Sequence, residues 1–414
     1  MTPRFDTVVI GGGIVGTTAA YYLAKAGKRV ALVEKGRING EQSSRNWGAI
    51  RTQGRDRSEI PMMLDCLDIW RGIETELGES VDWRQQGQMR VIYDDSMRAR
   101  SEAFMPVARE FGLTTQLLTP REVAEMLPHY DARDCQGALF TPTDGNAEPE
   151  KAAPAFARGA VRFGATILEH TAARAIDLWN ERVCGVETEH GRLACDTVVL
   201  ASGAWTSRLL KPLGIRHPSL WVRGSVGRTG VLPIEMRKLV VWGKCAYRQR
   251  PDGRVNIAVA EDGFHDIMLE SAVHGLEFLP LAGRNWRNLR FHLGTPLVRS
   301  LMGEFADYTT HRTLDPMPDW KGLRKAANHF LAEYPGAGPI KYERAWAGYI
   351  DYMPDELPVI QAMQRPDGLF VAAGLSGHGF GIGPIIGRSL SDLIVKGRSD
   401  YDLAPFSARR FNPH

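Results

Sequence analysis

The chain opens with an apolar run that is typical of a buried parallel β-strand. The segment 5–10 is rich in Val and Ile and leads directly into Gly11-Gly12-Gly13-Ile14-Val15-Gly16. A helical stretch over 17–26 follows, and a second apolar strand over 29–33 ends in Glu34. A strand, a glycine turn, a helix and a strand within about thirty residues predict a dinucleotide-binding unit.

Each part of this unit has a physical reason. Gly11 permits the tight turn, Gly13 lets the backbone approach a pyrophosphate, and Gly16 lets the helix pack against the strand. The helix N-terminus offers free N–H groups and a partial positive charge to phosphate oxygens. Glu34 can accept hydrogen bonds from both hydroxyls of a ribose, and its charge would repel a 2′-phosphate. This unit alone does not separate FAD from NAD.

A second strand, glycine turn and helix lie near the other end of the chain. The apolar segment Leu369–Ala373 precedes a turn over 374–381, and a helical pattern follows over 382–395. NAD needs one pyrophosphate site, whereas a flavin also needs donors at the N1/O2 edge of its ring, where negative charge develops on reduction. The second turn therefore favours FAD.

A third apolar segment, 196–205, predicts a buried strand that ends in a turn of small residues. Its composition also fits a plain core strand. Because the segment stops just before another helical stretch, we interpret its turn as facing the cofactor.

The middle of the chain alternates between apolar and polar residues. This pattern predicts strands over 88–93, 220–229, 240–250 and 254–260. Thr119-Pro120-Arg121-Glu122 forms a capping box with Pro at the first helical position, which predicts a short helix to Met126.

Composition excludes several classes of function. The net charge of +3, with no basic stripe, speaks against nucleic acid as a partner. No stretch approaches the ~18 apolar residues of a membrane span, so we expect none. The glycine-broken opening segment lacks a cleavage site, and we expect a cytoplasmic location. No CxxC pair occurs, so we expect buried, reduced thiols and neither a zinc nor an iron–sulfur site at Cys66, Cys135, Cys184, Cys195 and Cys245.

Five segments together resemble the D-amino-acid oxidase/sarcosine oxidase group of FAD-dependent amine oxidoreductases. They are 8–35, 43–51, 198–205, 346–360 and 371–387, and the resemblance extends to Arg409-Arg410-Phe411. Within the group, the segments 346–355 and 376–384 look most like the flavin subunits of opine and hydroxyproline dehydrogenases and of hydrogen cyanide synthase. The resemblance implies hydride transfer to FAD from the carbon that bears the amine.

The resemblance also implies an α/β fold with two lobes. A Rossmann-like FAD-binding lobe of the glutathione-reductase type is expected over 1–90, 150–215 and 335–414. An α+β substrate-binding lobe, built on a mixed sheet, is expected over 91–149 and 216–334. The residues expected to bind FAD are Gly11, Gly13, Ile14, Val15, Gly16, Glu34, Lys35, Ser43, Ser44, Arg45, Asn46, Gly48, Ala173, Ala201, Gly203, Trp205, Gly374, Ser376, Gly377, His378, Gly379, Phe380 and Gly381.

Three residues are candidates for catalysis. A substrate carboxylate favours Arg, whose planar fork offers two hydrogen bonds. Arg51 resembles the carboxylate-binding Arg of monomeric sarcosine oxidases, with a solvated surface Arg as the alternative. Arg223 would lie on the face of the sheet that covers the flavin, if its strand is placed correctly. His378 could polarise the flavin or tune its potential, or it could be an ordinary turn residue.

Several residues depart from the family's pattern. Ile350 stands where D-amino-acid and glycine oxidases carry a carboxylate-binding Arg. Gly348 stands where monomeric sarcosine oxidases attach FAD through Cys, and Gly381 replaces their Lys. These differences imply non-covalent FAD and speak against simple D-amino-acid oxidase activity. Asp351 could meet a cationic substrate group or cap a turn, and we interpret Asp144 as an ordinary turn residue.

We therefore expect a dehydrogenase that oxidises the C–N bond of an amino acid, an opine-like N-substituted amino acid or a cyclic secondary amine. Partner subunits could carry further redox centres. A self-standing oxidase that produces hydrogen peroxide, and a non-catalytic flavin-binding subunit of a larger complex, remain as alternatives.

Overall fold

A computed structural model of the chain describes residues 3–242, 245–260, 263–285, 289–303, 305, 307–309 and 311–411. The strands, in chain order, are β1 (Thr7–Ile10), β2 (Val30–Val33), β3 (Ala49–Ile50), β4 (Gln88–Ile92), β5 (Gln116–Leu118), β6 (Gly137–Thr141), β7 (Gly145–Asn146), β8 (Thr166–Leu168), β9 (Ala173–Trp179), β10 (Arg182–Thr188), β11 (Gly191–Ala194), β12 (Thr197–Leu200), β13 (Leu220–Val231), β14 (Leu239–Trp242), β15 (Cys245–Gln249), β16 (Arg254–Val259), β17 (Gly263–Asp266), β18 (Leu289–His292), β19 (Tyr342–Tyr352), β20 (Val359–Ala362) and β21 (Leu369–Ala373). The α-helices are α1 (Ile14–Lys25), α2 (Gln42–Arg45), α3 (Ile60–Leu77), α4 (Asp95–Glu110), α5 (Pro120–Met126), α6 (Pro149–Arg162), α7 (Thr206–Leu210), α8 (Leu269–His274), α9 (Leu279–Asn285), α10 (Thr295–Leu301), α11 (Trp320–Glu333) and α12 (Gly379–Lys396).

A six-stranded sheet carries the two glycine turns. Its strand order is β20-β21-β12-β1-β2-β8, and all neighbours are parallel except β20 and β21. The residues of β1 and β2 are fully buried, as expected for parallel strands covered on both faces. The carboxyl ends of β1, β12 and β21 therefore lie at one edge, and α1 and α12 both begin there.

Helices α1 and α12 pack against each other at very short range. The hydroxyl of Thr18 donates to the carbonyl of Gly383 at 3.3 Å. A Cβ atom added to Gly387 would lie 2.1 Å from that same hydroxyl oxygen and 2.6 Å from the backbone nitrogen of Ala19. Only glycine fits at position 387 without moving one of the two helices.

The large sheet is mixed, with ten strands. Its order is β18-β17-β13-β16-β15-β14-β4-β6-β5, and β19 also pairs with β13. The pairs β14–β4 and β17–β18 are parallel, and the other pairs are antiparallel. One face packs on α11 through a buried cluster that includes Tyr247, Ile257 and Phe330. A mixed α/β fold with Rossmann-type and mixed sheets was predicted and is confirmed.

Strand β19 lies within the range 335–414, which was predicted for the FAD-binding lobe, yet it belongs to the large sheet. It pairs with β13 from Leu220↔Tyr352 to Thr229↔Tyr342. The division of the chain into lobes stays a prediction.

Some local predictions hold and one does not. The capping box of α5 is present, since the Thr119 hydroxyl accepts from the backbone N–H of Glu122 at 3.3 Å, and the Glu122 carboxylate accepts from that of Thr119 at 2.7 Å. The single strand predicted over 240–250 is wrong. The chain instead forms β14 and β15, which pair antiparallel with Val240 opposite Tyr247, and residues 243 and 244 lie outside the described residues.

None of the helices within the described ranges is long and apolar enough to span a membrane. All five cysteines are free; Cys184 is half-buried and the others are buried. The side chains described offer no cluster of three or more His, Cys, Asp or Glu that could hold a metal ion.

The α1–α12 contact generates a stability prediction. Gly387→Ala should lower the free energy of unfolding by about 1–3 kcal/mol, because the new methyl group has no space and the helices must separate. Gly72→Ala in α3 is the matched control, since nothing lies within 4 Å of the added Cβ. That change should be neutral or stabilising by up to about 1 kcal/mol. Urea denaturation of both variants checks this, and equal stability of Gly387→Ala and wild type would contradict it.

Candidate active site

A cavity of about 420 Å³ lies between the carboxyl edge of the six-stranded sheet and one face of the large sheet. The turns after β1, β12 and β21 form one side of it, and strands β13, β15, β16 and β19 form the other. The segment from Asn39 to Arg51 joins the two sides.

Most of the residues predicted to bind FAD line this cavity. They are Gly11, Gly13, Ile14, Val15, Glu34, Lys35, Ser43, Arg45, Asn46, Ala173, Ala201, Gly203, Trp205, Gly374, Ser376, Gly377, His378, Gly379 and Phe380. The structure thus brings residues from both ends and the middle of the chain to one space. Their contact with FAD stays a prediction.

Four predicted residues do not line the cavity but support its walls. A Cβ on Gly16 would lie 1.9 Å from the carbonyl oxygen of Gly11, so Gly16 lets α1 pack against the turn. Ser44 donates its hydroxyl to the carbonyl of Glu41 at 2.9 Å. Gly48 donates its N–H to the Asn46 side chain, and Gly381 accepts from the indole of Trp70 at 2.8 Å.

The N-terminus of α1 faces the cavity without a side-chain cap on Gly13. Its Ile14 N–H donates to the Ser43 hydroxyl at 2.9 Å. The Glu34 carboxylate accepts from the backbone N–H of Gly12 and of Gly36, both at 2.7 Å. Burial raises the pKa of Glu34, and these two N–H groups oppose that shift. Glu34 therefore holds the turn as well as facing the cavity.

Lys35 lines the cavity, but its amine is already engaged. It donates to the Glu41 carboxylate at 2.6 Å and lies 4.6 Å from the ring centre of Trp205. The Trp205 indole donates to the other Glu41 oxygen at 2.9 Å. Glu41 was not among the predicted residues, because nothing in its local sequence marks it as the group that joins these two side chains.

The N-terminus of α12 is the second helix end at this cavity. Its N-cap is His378, again without a side-chain cap, so the first-turn N–H groups remain available. Asp351 shapes the preceding turn through two hydrogen bonds. Its carboxylate accepts from the backbone N–H of Gly374 at 2.8 Å, and its backbone carbonyl accepts from the backbone N–H of Ser376 at 2.9 Å. Asp351 thus holds the turn, which was one of its two interpretations.

These features fit FAD. Two helix N-termini face the same space, and neither N-cap residue, Gly13 or His378, caps its helix with its own side chain, so two positive helix ends are available for the pyrophosphate and the flavin ring. The site lies at the carboxyl edge of a parallel sheet, where such cofactors bind.

Arg51 faces the cavity and is not the solvated surface residue of the alternative interpretation. It is half-buried, and its guanidinium donates to the carbonyl of Gln53. Burial, followed by the neighbouring charges of Arg55 and Arg90, lowers the pKa of Arg51 to about 9. Asp144 and Glu59 oppose that shift. Arg51 is therefore still a cation at neutral pH.

Asp144 is not the ordinary turn residue that was expected. It is completely buried, and its carboxylate accepts from the N–H of Thr52 at 2.7 Å, from the Thr52 hydroxyl at 2.8 Å and from the Gln53 N–H at 3.2 Å. Burial raises its pKa to about 6. Asp144 thus fixes the loop that carries Arg51.

His378 is a neutral imidazole at the mouth of α12. Burial, reinforced by the charge of Arg55, lowers the pKa of His378 to about 4, although Glu59 opposes the shift. Its Nδ1 atom lies 3.7 Å from the Glu59 carboxylate. His378 therefore brings no positive charge to the cavity at pH 7.

The structure does not bring Arg223 to the cavity. Its guanidinium donates to the carbonyl of Met317 at 2.8 Å and to the carboxylate of Asp266 at 3.2 Å, and it lies over the ring of Phe264. These partners hold the side chain away from the residues that line the cavity.

The sequence did not identify the residues of the large sheet that roof the cavity. They include Val226, Ala246, Ala258, Tyr349, Ile350 and Tyr352, together with Trp47 from the loop before Arg51. Strand alternation separates the two faces of each strand, but it does not say which face covers a cavity and which one packs on a helix.

Comparison with known proteins agrees with this geometry. Residues 6–393 match the family model described as DAO, FAD dependent oxidoreductase. Glycine oxidase of Geobacillus kaustophilus (strain HTA426) is 26% identical over 418 residues, covering 99% of this chain and 98% of that protein. Sarcosine oxidase subunit beta of Rhizobium meliloti (strain 1021) is 25% identical over 415 residues, covering 99% and 89%. The solved structure of L-amino acid deaminase from Proteus myxofaciens in complex with anthranilate has a TM-score of 0.93 and 26% identity, covering 99% of this chain and 94% of that one.

The position of Glu34 generates a binding prediction. Glu34→Ala should weaken FAD binding roughly 10- to 150-fold, because a charge-assisted hydrogen bond contributes about 1.5–3 kcal/mol. Glu150→Ala, an exposed acid that does not line the cavity, is the control and should bind FAD like wild type. Fluorescence titration of the apoproteins with FAD measures both. Unchanged affinity in Glu34→Ala, with a native circular dichroism spectrum, would refute the ribose contact.

Proposed function

This chain belongs to the DAO family of FAD dependent oxidoreductases, and from that premise we propose that it oxidises the C–N bond of an amino acid or N-substituted amino acid held at Arg51. The family and its relatives act on C–N donors with FAD as cofactor. The carboxylate anchor, the electron acceptor and the assembly are the parts that we propose.

When bound, FAD supplies the redox chemistry by accepting a hydride from the substrate carbon that bears the amine. The residues of the chain have the remaining tasks. The turns at α1 and α12 hold the cofactor non-covalently, since Gly348 offers no thiol for attachment. Arg51 orients the substrate, and the apolar roof excludes water from the reacting carbon.

The bonding of Arg51 carries this proposal. Arg51 lines the cavity, and its guanidinium donates to a neutral acceptor, the backbone carbonyl of Gln53. A substrate carboxylate would add a negatively charged partner, with two hydrogen bonds from the planar guanidinium.

Arg51 also stands apart from the other cations that line the cavity. Lys35 is paired with Glu41 at 2.6 Å and Arg45 with Asp315 at 2.6 Å. Among the described residues, Arg51 forms no salt bridge, so its guanidinium is the cation available to an anionic ligand.

Two comparisons support a carboxylated substrate. Glycine oxidase is named for an amino acid, and the L-amino acid deaminase was solved with anthranilate, which is an aromatic carboxylate. Both compounds carry the group that Arg51 would bind.

We propose that the enzyme is a dehydrogenase that passes electrons to a partner subunit. A relative that is named as a subunit, sarcosine oxidase subunit beta, supports the partner. A self-standing oxidase that produces hydrogen peroxide is the second candidate, and the glycine oxidase relative, which matches over nearly its full length, favours it. A flavin-binding subunit without turnover is a third.

Replacing Arg51 tests the anchor. Arg51→Ala should lower kcat/KM for a carboxylated amino acid roughly 10- to 150-fold, mainly through KM, because the charge-assisted bonds are lost. Arg51→Lys should recover only part of this, since an ammonium cannot bind both oxygens in the same way. Arg57→Ala, at an exposed position, is the control. Steady-state kinetics with the amino acid and with the matching decarboxylated amine measure the effect. An equal loss for both substrates would contradict the anchor.

Assays of the purified FAD-loaded protein for dye reduction and peroxide release identify the electron acceptor. A dehydrogenase should reduce an artificial dye with an amino-acid substrate and release little peroxide in air. Stoichiometric peroxide would instead establish the self-standing oxidase. A flavin that fails to bleach anaerobically with any amine or amino acid would favour the subunit without turnover.

A further inference from the structure

One part of the large sheet that roofs the cavity is made of small and apolar residues. Across β19, β13, β16 and β15, the strand register places Trp346, Val226, Ala258 and Ala246 in one transverse row. These four residues form a single buried apolar cluster. Val226, Ala258 and Ala246 line the cavity.

The neighbouring part of the sheet is made of even smaller residues. Gly348 and Gly224 are paired between β19 and β13, and Ala260 follows Ala258 by two residues, which places it on the same face. All three line the cavity. The space over Gly348 is taken by the side chain of Arg45, and that over Gly224 borders the side chain of Ile350. The methyl groups of the alanines extend little from the sheet, so they leave room for a ligand group.

An aromatic side chain completes this chamber. Trp47, from the loop that leads to Arg51, packs against the same apolar cluster and lines the cavity. Arg248 fixes the position of the loop at Trp47, because its guanidinium donates to the Trp47 carbonyl. The same guanidinium forms a salt bridge with the buried carboxylate of Glu148 at 2.8 Å.

Polar residues adjoin the chamber on the same sheet but do not line it. The next transverse row of the sheet contains Arg228, Asn256 and Arg248, and none of the three is among the residues that line the cavity. The acids that do line the cavity are engaged elsewhere: Glu34 and Asp351 accept from backbone N–H groups, and Glu41 pairs with Lys35.

We propose that this chamber binds the side chain of the substrate, and that the substrate is therefore an α-amino acid with a bulky, uncharged apolar side chain, aromatic or branched aliphatic. This inference rests on the proposed function, because it takes Arg51 as the site of the substrate carboxylate. With the carboxylate at Arg51, the side chain lies against Trp47 and the Val226–Ala258–Ala246 row.

Other side-chain classes fit the chamber less well. The described residues of the chamber include no carboxylate that could pair with a cationic side chain, and an anionic side chain would lose its hydration against apolar groups. A substrate without a side chain would leave the chamber unfilled. Each buried methylene should raise kcat/KM roughly fourfold through the hydrophobic effect, so several carbons produce a large preference.

The first experiment is a substrate panel with the FAD-loaded enzyme. Both enantiomers of phenylalanine, leucine, alanine, glutamate and lysine are compared with glycine and sarcosine by anaerobic reduction of the flavin and by kcat/KM. We expect phenylalanine or leucine, in one enantiomer, to exceed alanine roughly tenfold or more and glycine by more than that. Glutamate and lysine should be poor substrates.

The second experiment fills the chamber. Ala258→Leu and Ala246→Leu should each lower the ratio of kcat/KM for phenylalanine to that for alanine roughly tenfold or more, because the new side chain takes the space of the ring. Ala103→Leu, on the exposed face of α4, is the matched control and should keep the wild-type ratio. The flavin spectrum of each variant reports whether the cofactor is bound as in wild type.

The outcomes separate this inference from the proposed function. If glycine, sarcosine, glutamate or lysine is the best substrate, the apolar chamber does not select the side chain and the inference fails, while amino-acid oxidation stands. An unchanged phenylalanine-to-alanine ratio in both leucine variants with bound FAD also overturns it. If no amino acid reduces the flavin, the proposed function fails and the inference fails with it.

Discussion

Two helices begin at the same edge of one largely parallel sheet, and the N-termini of both face a single cavity. That arrangement depends on the close contact between α1 and α12, where the hydroxyl of Thr18 bonds to the carbonyl of Gly383 and no side chain fits at Gly387. A helix N-terminus is a site of concentrated positive potential that falls off within about one turn. Two such ends can act on one cofactor only if the packing holds them this close together.

The rest of the site is built around this pair of helix ends. Two buried carboxylates hold backbone segments in place: Asp351 shapes the turn before α12, and Asp144 fixes the loop that carries Arg51. The large sheet closes the other side, and the indole of Trp346 donates to the carbonyl of Arg45 at 2.9 Å, which joins β19 to helix α2. Apolar residues of the large sheet and the guanidinium of Arg51 border the same cavity, as the proposed binding of an amino acid with an apolar side chain would require.

The predictions from sequence were most successful where the chemistry is local. The glycine turn and Glu34 fall at the cavity because strand, turn, helix and strand follow one another within one short unit, and the capping box of α5 is likewise decided by four consecutive residues. Predictions failed where contacts with residues distant in the chain determine strand pairing or the position of a side chain. The predicted strand over 240–250 is two antiparallel strands, and Arg223 is held by Asp266 and Met317, which lie far from it in the chain.

By itself, the sequence determined the cofactor class, the two helix ends that would hold it and the approximate course of the parallel sheet, because these features follow from glycine spacing and from apolar runs between neighbouring residues. Only the tertiary structure decided that Arg51 lines the cavity and forms no salt bridge with the described residues, that Asp144 is buried against its loop, and that small residues of four strands form part of the roof. Strand register, long-range pairing and burial set those relations, and they change the pKa of a side chain and the space around it without leaving a local pattern in the chain.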